Sequence, residues 1–243
     1  MNFYAVIIGT EILNARRVDK HFSFLQKELA KYRHELFASF VIKDDKELIT
    51  RTYKMIQADP NGVMFSFGGI GSTPDDLTRE IASQVFKNSP TVVHEKFQQD
   101  IIERFGDEAY PHRIQMAELP PDADLIKNPI NNMSGFSLDD RYFFVPGFPS
   151  MAHPMLHNVI QTHFSQSTTK YRKTLYAYTS ENTLIDVMQK VPNSVELSSL
   201  PIFVDEKPNV EISVAGADLD KVITTFKHFT DALEKLQIKY KLM

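Results

Sequence analysis

The sequence predicts an α/β domain with a mainly parallel β-sheet and helices on both faces of that sheet, followed by a small α+β module. Short apolar runs alternate with amphipathic segments in the first part of the chain, as in sheets whose strands are joined by crossover helices. The second part instead predicts several strands before its last helix. The polar stretch SQSTTK, residues 165–170, lies between the two parts. We therefore predict domains at residues 1–166 and 167–243.

Three buried strands are predicted at the start of the first domain. Residues 3–8 are a continuous apolar run, residues 36–42 place Leu, Ala, Phe and Ile on one face, and residues 62–67 are again mostly apolar. Side chains spaced three and four residues apart predict the helices, the first of them with Val18 in its apolar stripe. The helical segments are residues 18–32, the residues that follow Asp45, and residues 76–86.

The remaining elements complete both domains. The stretch YFFVPGFPSMAHPML predicts a fourth strand, a Pro-Gly turn and a helix that ends near residue 164. In the second domain we predict strands at 171–178, 196–204 and 209–215, and helices at about 181–190 and 218–236. This domain contains one glycine, Gly216, and so lacks the G-x-x-G loop with which KH domains clamp RNA. Nucleic-acid binding is therefore not expected.

The composition excludes several classes of protein and of site. The chain of 243 residues has no cysteine, which rules out disulfides, thiolate metal sites and a cysteine nucleophile. The formal net charge of -4 is unlike that of a general nucleic-acid binder. No apolar run approaches the length of a membrane span, and the first residues do not resemble a signal peptide. We expect a cytoplasmic protein without membrane association.

Three polar loops follow the predicted parallel strands. They contain Gly9, Thr10 and Glu11 after the first strand, Asp44 and Asp45 after the second, and the stretch SFGGIGSTPDDLTRE, residues 66–80, at the third. In such sheets ligands bind beyond the carboxyl ends of the strands. We therefore expect these loops to converge in space. The Pro146-Gly147 turn should lie at the same end, and its residues are candidates for ligand contact.

The glycines of the third loop predict a phosphate-binding turn. Gly68, Gly69 and Gly71 permit positive φ angles and a close approach of the backbone to a ligand. The pattern matches neither the P-loop, which ends in Gly-Lys-Ser or Gly-Lys-Thr, nor the G-x-G-x-x-G dinucleotide fingerprint. The turn leads through Ser72 into Thr73-Pro74-Asp75-Asp76, which we predict as a helix start with Thr73 as the N-cap and Asp76 completing a capping box.

Two adjacent carboxylates, Asp75 and Asp76, are unexpected beside a phosphate. Two arrangements would remove the repulsion. A divalent cation would bridge carboxylate and phosphate oxygens. Alternatively, the carboxylates would accept hydrogen bonds from N–H or hydroxyl groups of the ligand. Both arrangements favour a phosphorylated organic ligand, such as a nucleotide or a pterin, over inorganic phosphate.

Four motifs resemble those of the MoCF, or molybdopterin-binding, superfamily. IIGTEIL, VIKDD, FGGIGSTPDDLTRE and FFVPGFPSMAHPM occur in the family's order over about residues 3–164. They are most similar to the N-terminal domain of competence/damage-inducible protein A (CinA), and residues from 171 onward resemble, more weakly, its KH-like module. The resemblance implies a three-layer α/β/α fold and self-association into homo-oligomers. We expect no amidase activity, because the amidase domain of full CinA proteins has no counterpart in this sequence.

The resemblance also implies site residues. Asp44 and Asp76 correspond to the family's acids and are the expected catalytic residues, and with Glu11 they are the expected metal ligands. The residues expected to bind the ligand are Gly9, Thr10, Glu11, Gly68, Gly69, Gly71, Ser72, Thr73, Asp75, Pro146 and Gly147. The implied activity is a metal-dependent pyrophosphatase that acts on ADP-ribose or FAD with Mg²⁺, Mn²⁺ or Co²⁺. The alternatives are molybdopterin binding in cofactor biosynthesis and a nucleotide-binding module without catalysis.

The first loop departs from the family pattern at two positions. Ala15 stands where the family has glycine, and His21 stands where it has asparagine. Arg16 and Arg17 are either phosphate ligands or solvated side chains at a helix start.

Two further groups of residues are weaker candidates. His153 and His157 have the spacing of a two-histidine site but lack the H-E-x-x-H glutamate, so we expect no metal there. Asn128, Asn131 and Asn132 are either ligand contacts or turn residues.

Overall fold

The computed structural model describes residues 1–166 and 169–243, and these form two compact units. Residues 167 and 168, at the centre of the predicted 165–170 linker, lie outside the described residues, and so does the predicted domain boundary. Among the described residues, no helix combines the length and the apolar character that crossing a membrane requires.

A six-stranded sheet forms the centre of the first unit. Its strands are β1 (Asn2–Ile8), β2 (Leu36–Ile42), β3 (Gly62–Phe67), β6 (Asp124–Ile126), β7 (Gly135–Leu138) and β8 (Tyr142–Val145). The short strands β4 (Val92–Val93) and β5 (Glu118–Leu119) form a separate ribbon. The order across the sheet is β2-β1-β3-β8-β7-β6, and β4 pairs only with β5. The first four strands of this order are parallel, and β7 runs antiparallel to both of its neighbours, β8 and β6, which confirms the mainly parallel sheet.

Helices cover both faces of this sheet. They are α1 (Thr10–Leu13), α2 (His21–Ala30), α3 (Lys46–Gln57), α4 (Thr78–Ala82), α5 (Glu95–Phe105) and α6 (Pro149–His163). Alternate residues of β1 point to opposite faces, so Val6 belongs to a core with α3, α4 and α5, whereas Ile7 belongs to a core with α2 and α6. Burial on both faces explains why the strand runs are almost continuously apolar. The three-layer α/β/α prediction is confirmed.

Two predicted helices begin later than expected. The segment 18–32 becomes helical only at His21, because the Asp19 carboxylate accepts the backbone N–H groups of His21 and Phe22 at 2.9 and 3.1 Å. Val18 is consequently 79% exposed rather than part of the apolar stripe. The segment 76–86 becomes helical only at Thr78, because Thr78 bonds back to the glycines at positions 68 and 69.

The second unit is an antiparallel sheet with one long helix, as predicted. Its strands are β9 (Tyr171–Ala177), β10 (Glu196–Val204), β11 (Lys207–Gly216) and β12 (Tyr240–Leu242), and its helices are α7 (Ile185–Met188) and α8 (Leu219–Lys235). The sheet order is β10-β11-β9-β12. Asp218 caps α8 by accepting two backbone N–H groups, and Phe229 on the inner face of the helix is fully buried.

Candidate functional site

A cavity of about 500 Å³ lies at the carboxyl ends of β1, β3 and β8, where the sequence predicted convergent loops. Its volume is within the range of small-molecule sites. The predicted residues that line it are Glu11, Asp44, Gly68, Gly69, Gly71, Ser72, Thr73, Asp75, Asp76, Pro146 and Gly147. Gly9 and Thr10 are not among the lining residues. We call this cavity the inner pocket.

The glycine turn, residues 68–72, fits tightly between its neighbours. Gly68 has a φ of 94°, and a Cβ atom there would lie 2.6 Å from the carbonyl oxygen of Ile8. A Cβ on Gly71 would lie 2.6 Å from Oδ2 of Asp76, and one on Gly147 would lie 3.4 Å from the Gly68 Cα. The turn therefore needs glycine, both for its backbone angles and for its close contact with the end of β1 and with the Pro-Gly turn.

The polar backbone groups of the glycine turn are unequally used. The Arg79 guanidinium donates to the carbonyl oxygens of Ile70 and Gly71. Burial lowers the pKa of Arg79, while Asp76 and Glu118 act in the opposite direction. The N–H groups of four pocket-lining residues donate to no acceptor among the described residues. These residues are Gly69, Ile70, Gly71 and Ser72. Free donors at the wall of a cavity are the groups that bind anions.

Asp76 is held by a local turn instead of by a helix N-terminus. Its Oδ2 accepts the backbone N–H and the hydroxyl of Thr73 at 2.8 and 2.6 Å, and its own N–H donates to the Thr73 carbonyl. Thr73 is thus a donor, and only half of the predicted capping box is formed. The helix begins later because Thr78 bonds back to the glycine turn, through its N–H to Gly69 and its hydroxyl to Gly68. The Thr73 hydroxyl also lowers the pKa of Asp75.

Asp44 is held by a different loop. Its Oδ2 accepts both the backbone N–H and the hydroxyl of Thr10, each at 2.8 Å. The N–H of Gly9 donates to Ile42. The donors of Gly9 and Thr10 thus position the end of β1 and Asp44, and their role in ligand binding stays a prediction. The neighbouring Asp45 caps α3 by accepting the Leu48 N–H at 2.8 Å.

One wall of the inner pocket is apolar and was not predicted. It consists of Phe97, Met116, Met133, Phe148 and Met151. Aromatic rings and the polarizable thioethers of methionine make favourable contacts with planar ring systems. They come from widely separated segments, so no local spacing could reveal them; only Phe148, next to Pro146-Gly147, had a nearby signal.

A comparison with known protein families matches the part of the chain that contains the inner pocket. The family model described as "Probable molybdopterin binding domain" matches residues 4–166. The chain belongs to the MoCF family. A CinA-like protein of Acaryochloris marina is 31% identical over 157 residues, which are 62% of this chain and 37% of that protein. A CinA-like protein of Nostoc punctiforme is 29% identical over 162 residues, 64% of this chain and 38% of that protein. The chain thus matches little more than a third of the length of these relatives.

A solved structure shows the same fold. The protein CinA of Thermoplasma acidophilum, described as having unknown function, aligns with a TM-score of 0.60 at 24% sequence identity. The alignment covers 67% of this chain and 98% of that one. The likeness extends the family assignment to the three-layer architecture.

The first loop of the MoCF domain in this chain contains the two residues that depart from the family pattern, Ala15 and His21. Ala15 adopts a φ of 61°, a left-handed conformation that suits the glycine of the family pattern. His21 is 3% exposed, stacks on Phe67 at 4.2 Å and bonds through Nε2 to the Gly147 carbonyl at 3.3 Å. Burial lowers its pKa to about 4. His21 therefore supports the Pro-Gly turn from behind, as a neutral side chain.

The remaining candidates differ in their access to the inner pocket. Arg17 lines it, pairs with Glu11 at 3.3 Å and lies 5.6 Å from the Phe148 ring. Arg16 instead bonds to Asn14.

The asparagines and histidines outside the pocket have structural partners. Asn128 and Asn131 bond to the backbone of Met133 and so shape the loop that carries it. His153 stacks on Phe24 at 3.9 Å and His157 bonds to Glu28 at 2.9 Å, so these two histidines do not form a pair. Asn132 has a φ of 60°, typical of a turn residue.

The protein alone does not form the predicted three-acid metal site. Among the described residues, no three His, Cys, Asp or Glu side chains are grouped so that they could hold a metal ion. Glu11 is paired with Arg17, which explains why it does not join the two aspartates. Asp44 and Asp76 each keep one carboxylate oxygen, Oδ1, that accepts no bond from the described residues. Two such acids fit the way Mg²⁺ binds together with substrate phosphates.

Proposed function

We propose that the protein binds a phosphorylated nucleotide or pterin in the inner pocket and hydrolyses a diphosphate linkage of the kind found in ADP-ribose and FAD. One observation carries this proposal: four unpaired backbone N–H groups and two carboxylates line the same cavity as an apolar wall. The family match adds support from sequence. The activity of the longer relatives is not transferred, because this chain matches only part of them.

The glycine turn is the proposed diphosphate site. Its free N–H groups would donate to phosphate oxygens, and its glycines let the turn pack closely against Ile8, Thr78 and Asp76. Arg79 holds the turn from the opposite side through two carbonyl oxygens. Arg17 adds a positive charge at the pocket wall.

The apolar wall is the proposed site for the planar ring. Met133, Met151 and Phe148 would contact the ring of an adenine, flavin or pterin, and burial of the ring would supply the nonpolar part of the affinity. The division of the cavity into a polar and an apolar wall therefore matches the two parts of such a ligand.

Asp44 and Asp76 are the proposed cation ligands, through their free Oδ1 atoms, with phosphate oxygens completing the coordination. Bound there, Mg²⁺, Mn²⁺ or Co²⁺ would neutralise phosphate charge and polarise the phosphoryl group. Thr10 and Thr73 would orient the two carboxylates by donating to Oδ2. The bound cation would thus remove the repulsion between the carboxylates and the phosphate at this loop.

Hydrolysis is tested by incubating the protein with ADP-ribose, FAD or NADH and each of the three cations, and measuring AMP release. We expect release with at least one substrate, its loss in Asp76→Asn, and its loss on chelation. The matched control is Asp205→Asn, an exposed turn aspartate of the second unit. Absence of AMP release under every condition contradicts the proposed hydrolysis.

A second candidate is molybdopterin binding without hydrolysis, favoured by the description of the matching family. It predicts that pterin fluorescence copurifies with the protein or responds to titration, and that Met133→Ala and Met151→Ala reduce this signal. A pterin signal together with no AMP release would replace the first candidate by the second.

A further inference from the structure

A second cavity adjoins the glycine turn on its outer side. It has a volume of about 790 Å³ and is lined by the first unit alone. Ser72 and Thr73 line both this cavity and the inner pocket. These two residues therefore form the ridge between the two cavities, and Ser72 carries the last of the four free N–H groups. We call it the outer cavity.

The outer cavity carries an exposed aromatic ring. Tyr110 is 59% exposed although it lines the cavity. Aromatic side chains stack on nucleobases with little dependence on the base. Tyr110 is thus the natural platform for a second planar group.

The guanidinium of Arg113, which lines the outer cavity, is held by two neighbouring residues. Arg113 donates from Nη1 to the carbonyl oxygen and to Oε2 of Glu108, both at 2.9 Å, and its guanidinium lies 4.6 Å from the centre of the Phe105 ring. Its Nε and Nη2 atoms donate to no described residue. A guanidinium held in this way keeps donors for a ribose hydroxyl or a phosphate.

We propose that the outer cavity is a second subsite, which binds the nucleoside half of the ligand that the inner pocket does not hold. Tyr110 stacks on its base and Arg113 bonds to its ribose or phosphate, while the diphosphate crosses the ridge at Ser72 and Thr73. The inference rests on the proposed function. It assigns to this protein a two-part site for ligands with a planar group at each end.

The test compares a whole ligand with its halves by calorimetric titration of FAD, FMN and AMP in the presence of Ca²⁺, an oxygen-binding divalent cation outside the three proposed to support hydrolysis. We expect Tyr110→Ala to weaken FAD binding about tenfold, as loss of one stacking contact would. At least one half, the one bound in the inner pocket, should keep its affinity. Tyr110→Phe retains the ring and should bind FAD as the wild type does.

The matched control is Tyr178→Ala, an exposed tyrosine of the second unit, which should bind all three ligands normally. Unchanged FAD binding in Tyr110→Ala, or equal weakening of FAD and both halves, overturns the second subsite while leaving the inner pocket intact. Failure of the wild-type protein to bind FAD, FMN, AMP and ADP-ribose overturns the proposed function, and this inference with it.

Discussion

The two aspartates of the inner pocket are held in opposite ways. Asp76 is bound by Thr73, three residues away in the same turn, whereas Asp44 is bound by Thr10, 34 residues away on another loop. The first arrangement is local and depends on the glycine turn. The second depends on the parallel pairing of β1 and β2, which brings the ends of both strands together. The position of Asp76 therefore depends on one loop, whereas the position of Asp44 depends on the pairing of two strands.

The largest effect is expected from breaking the glycine turn that positions Asp76. Gly68→Ala forces a Cβ atom to within 2.6 Å of the Ile8 oxygen at a positive φ, and should lower the free energy of unfolding by about 4 kcal/mol. Gly106→Ala is the control, because its φ is also positive but nothing lies within 4 Å. It should cost about 2 kcal/mol, from backbone strain alone, at a φ of 54° and a ψ of -130°. Equal losses in urea titrations would show that the turn is not tightly packed.

The next effect is a dependence of stability on pH that arises behind the Pro-Gly turn. His21 stays neutral in the folded protein down to its pKa of about 4, whereas in the unfolded chain its pKa is near the ordinary histidine value of 6.5. Burial dominates this shift; the Gly147 hydrogen bond and Asp19 oppose it, and His153 and Arg17 add to it.

Between these two values the unfolded chain binds the additional proton, so the contribution of His21 to stability is complete above pH 6.5 and is lost as the pH falls towards 4. The loss should be roughly 2–3 kcal/mol. Urea titrations at pH 7.5 and 4.5 measure it. His21→Asn, with the residue of the family pattern, should show a smaller decrease, and an identical decrease would exclude His21 as the cause.

A matched pair of substitutions compares the two aspartate anchors directly. Thr10→Val removes a hydroxyl that joins two loops at a partly buried site and should cost about 1–2 kcal/mol of unfolding free energy. Thr73→Val removes an exposed hydroxyl within one turn and should cost about 0.5 kcal/mol. Chemical denaturation of both variants checks this order, and the reverse order would contradict the distinction between local and long-range anchoring.

The smallest effect is a gain in the first loop. Ala15→Gly places at φ 61° the residue that this conformation favours. The relief of backbone strain, reduced by the greater entropy of glycine in the unfolded chain, should raise stability by about 0.5 kcal/mol. A decrease in the thermal midpoint would show that Ala15 is not strained.

The sequence predicted the parts of this site that depend on local patterns. Continuous apolar runs predicted parallel strands, because both faces of the sheet are covered, and polar residues after each run predicted the loops that meet at the inner pocket. The capping box at Thr73 was half wrong because Thr78 bonds back to Gly68 and Gly69, a tertiary contact that local patterns do not contain. The Thr10–Asp44 pair and the apolar wall through Met133 depend on distant segments for the same reason.

The central claim is that the glycine turn and the two aspartates together hold a diphosphate. A crystal structure with ADP-ribose and Mn²⁺ tests it most directly, because anomalous scattering locates the metal independently of the ligand. The account predicts phosphate oxygens within hydrogen-bond distance of the N–H groups of residues 69–72, and a Mn²⁺ peak between the phosphate and Oδ1 of Asp44 and Asp76. A diphosphate bound away from the turn, or Mn²⁺ bound without either aspartate, would contradict it.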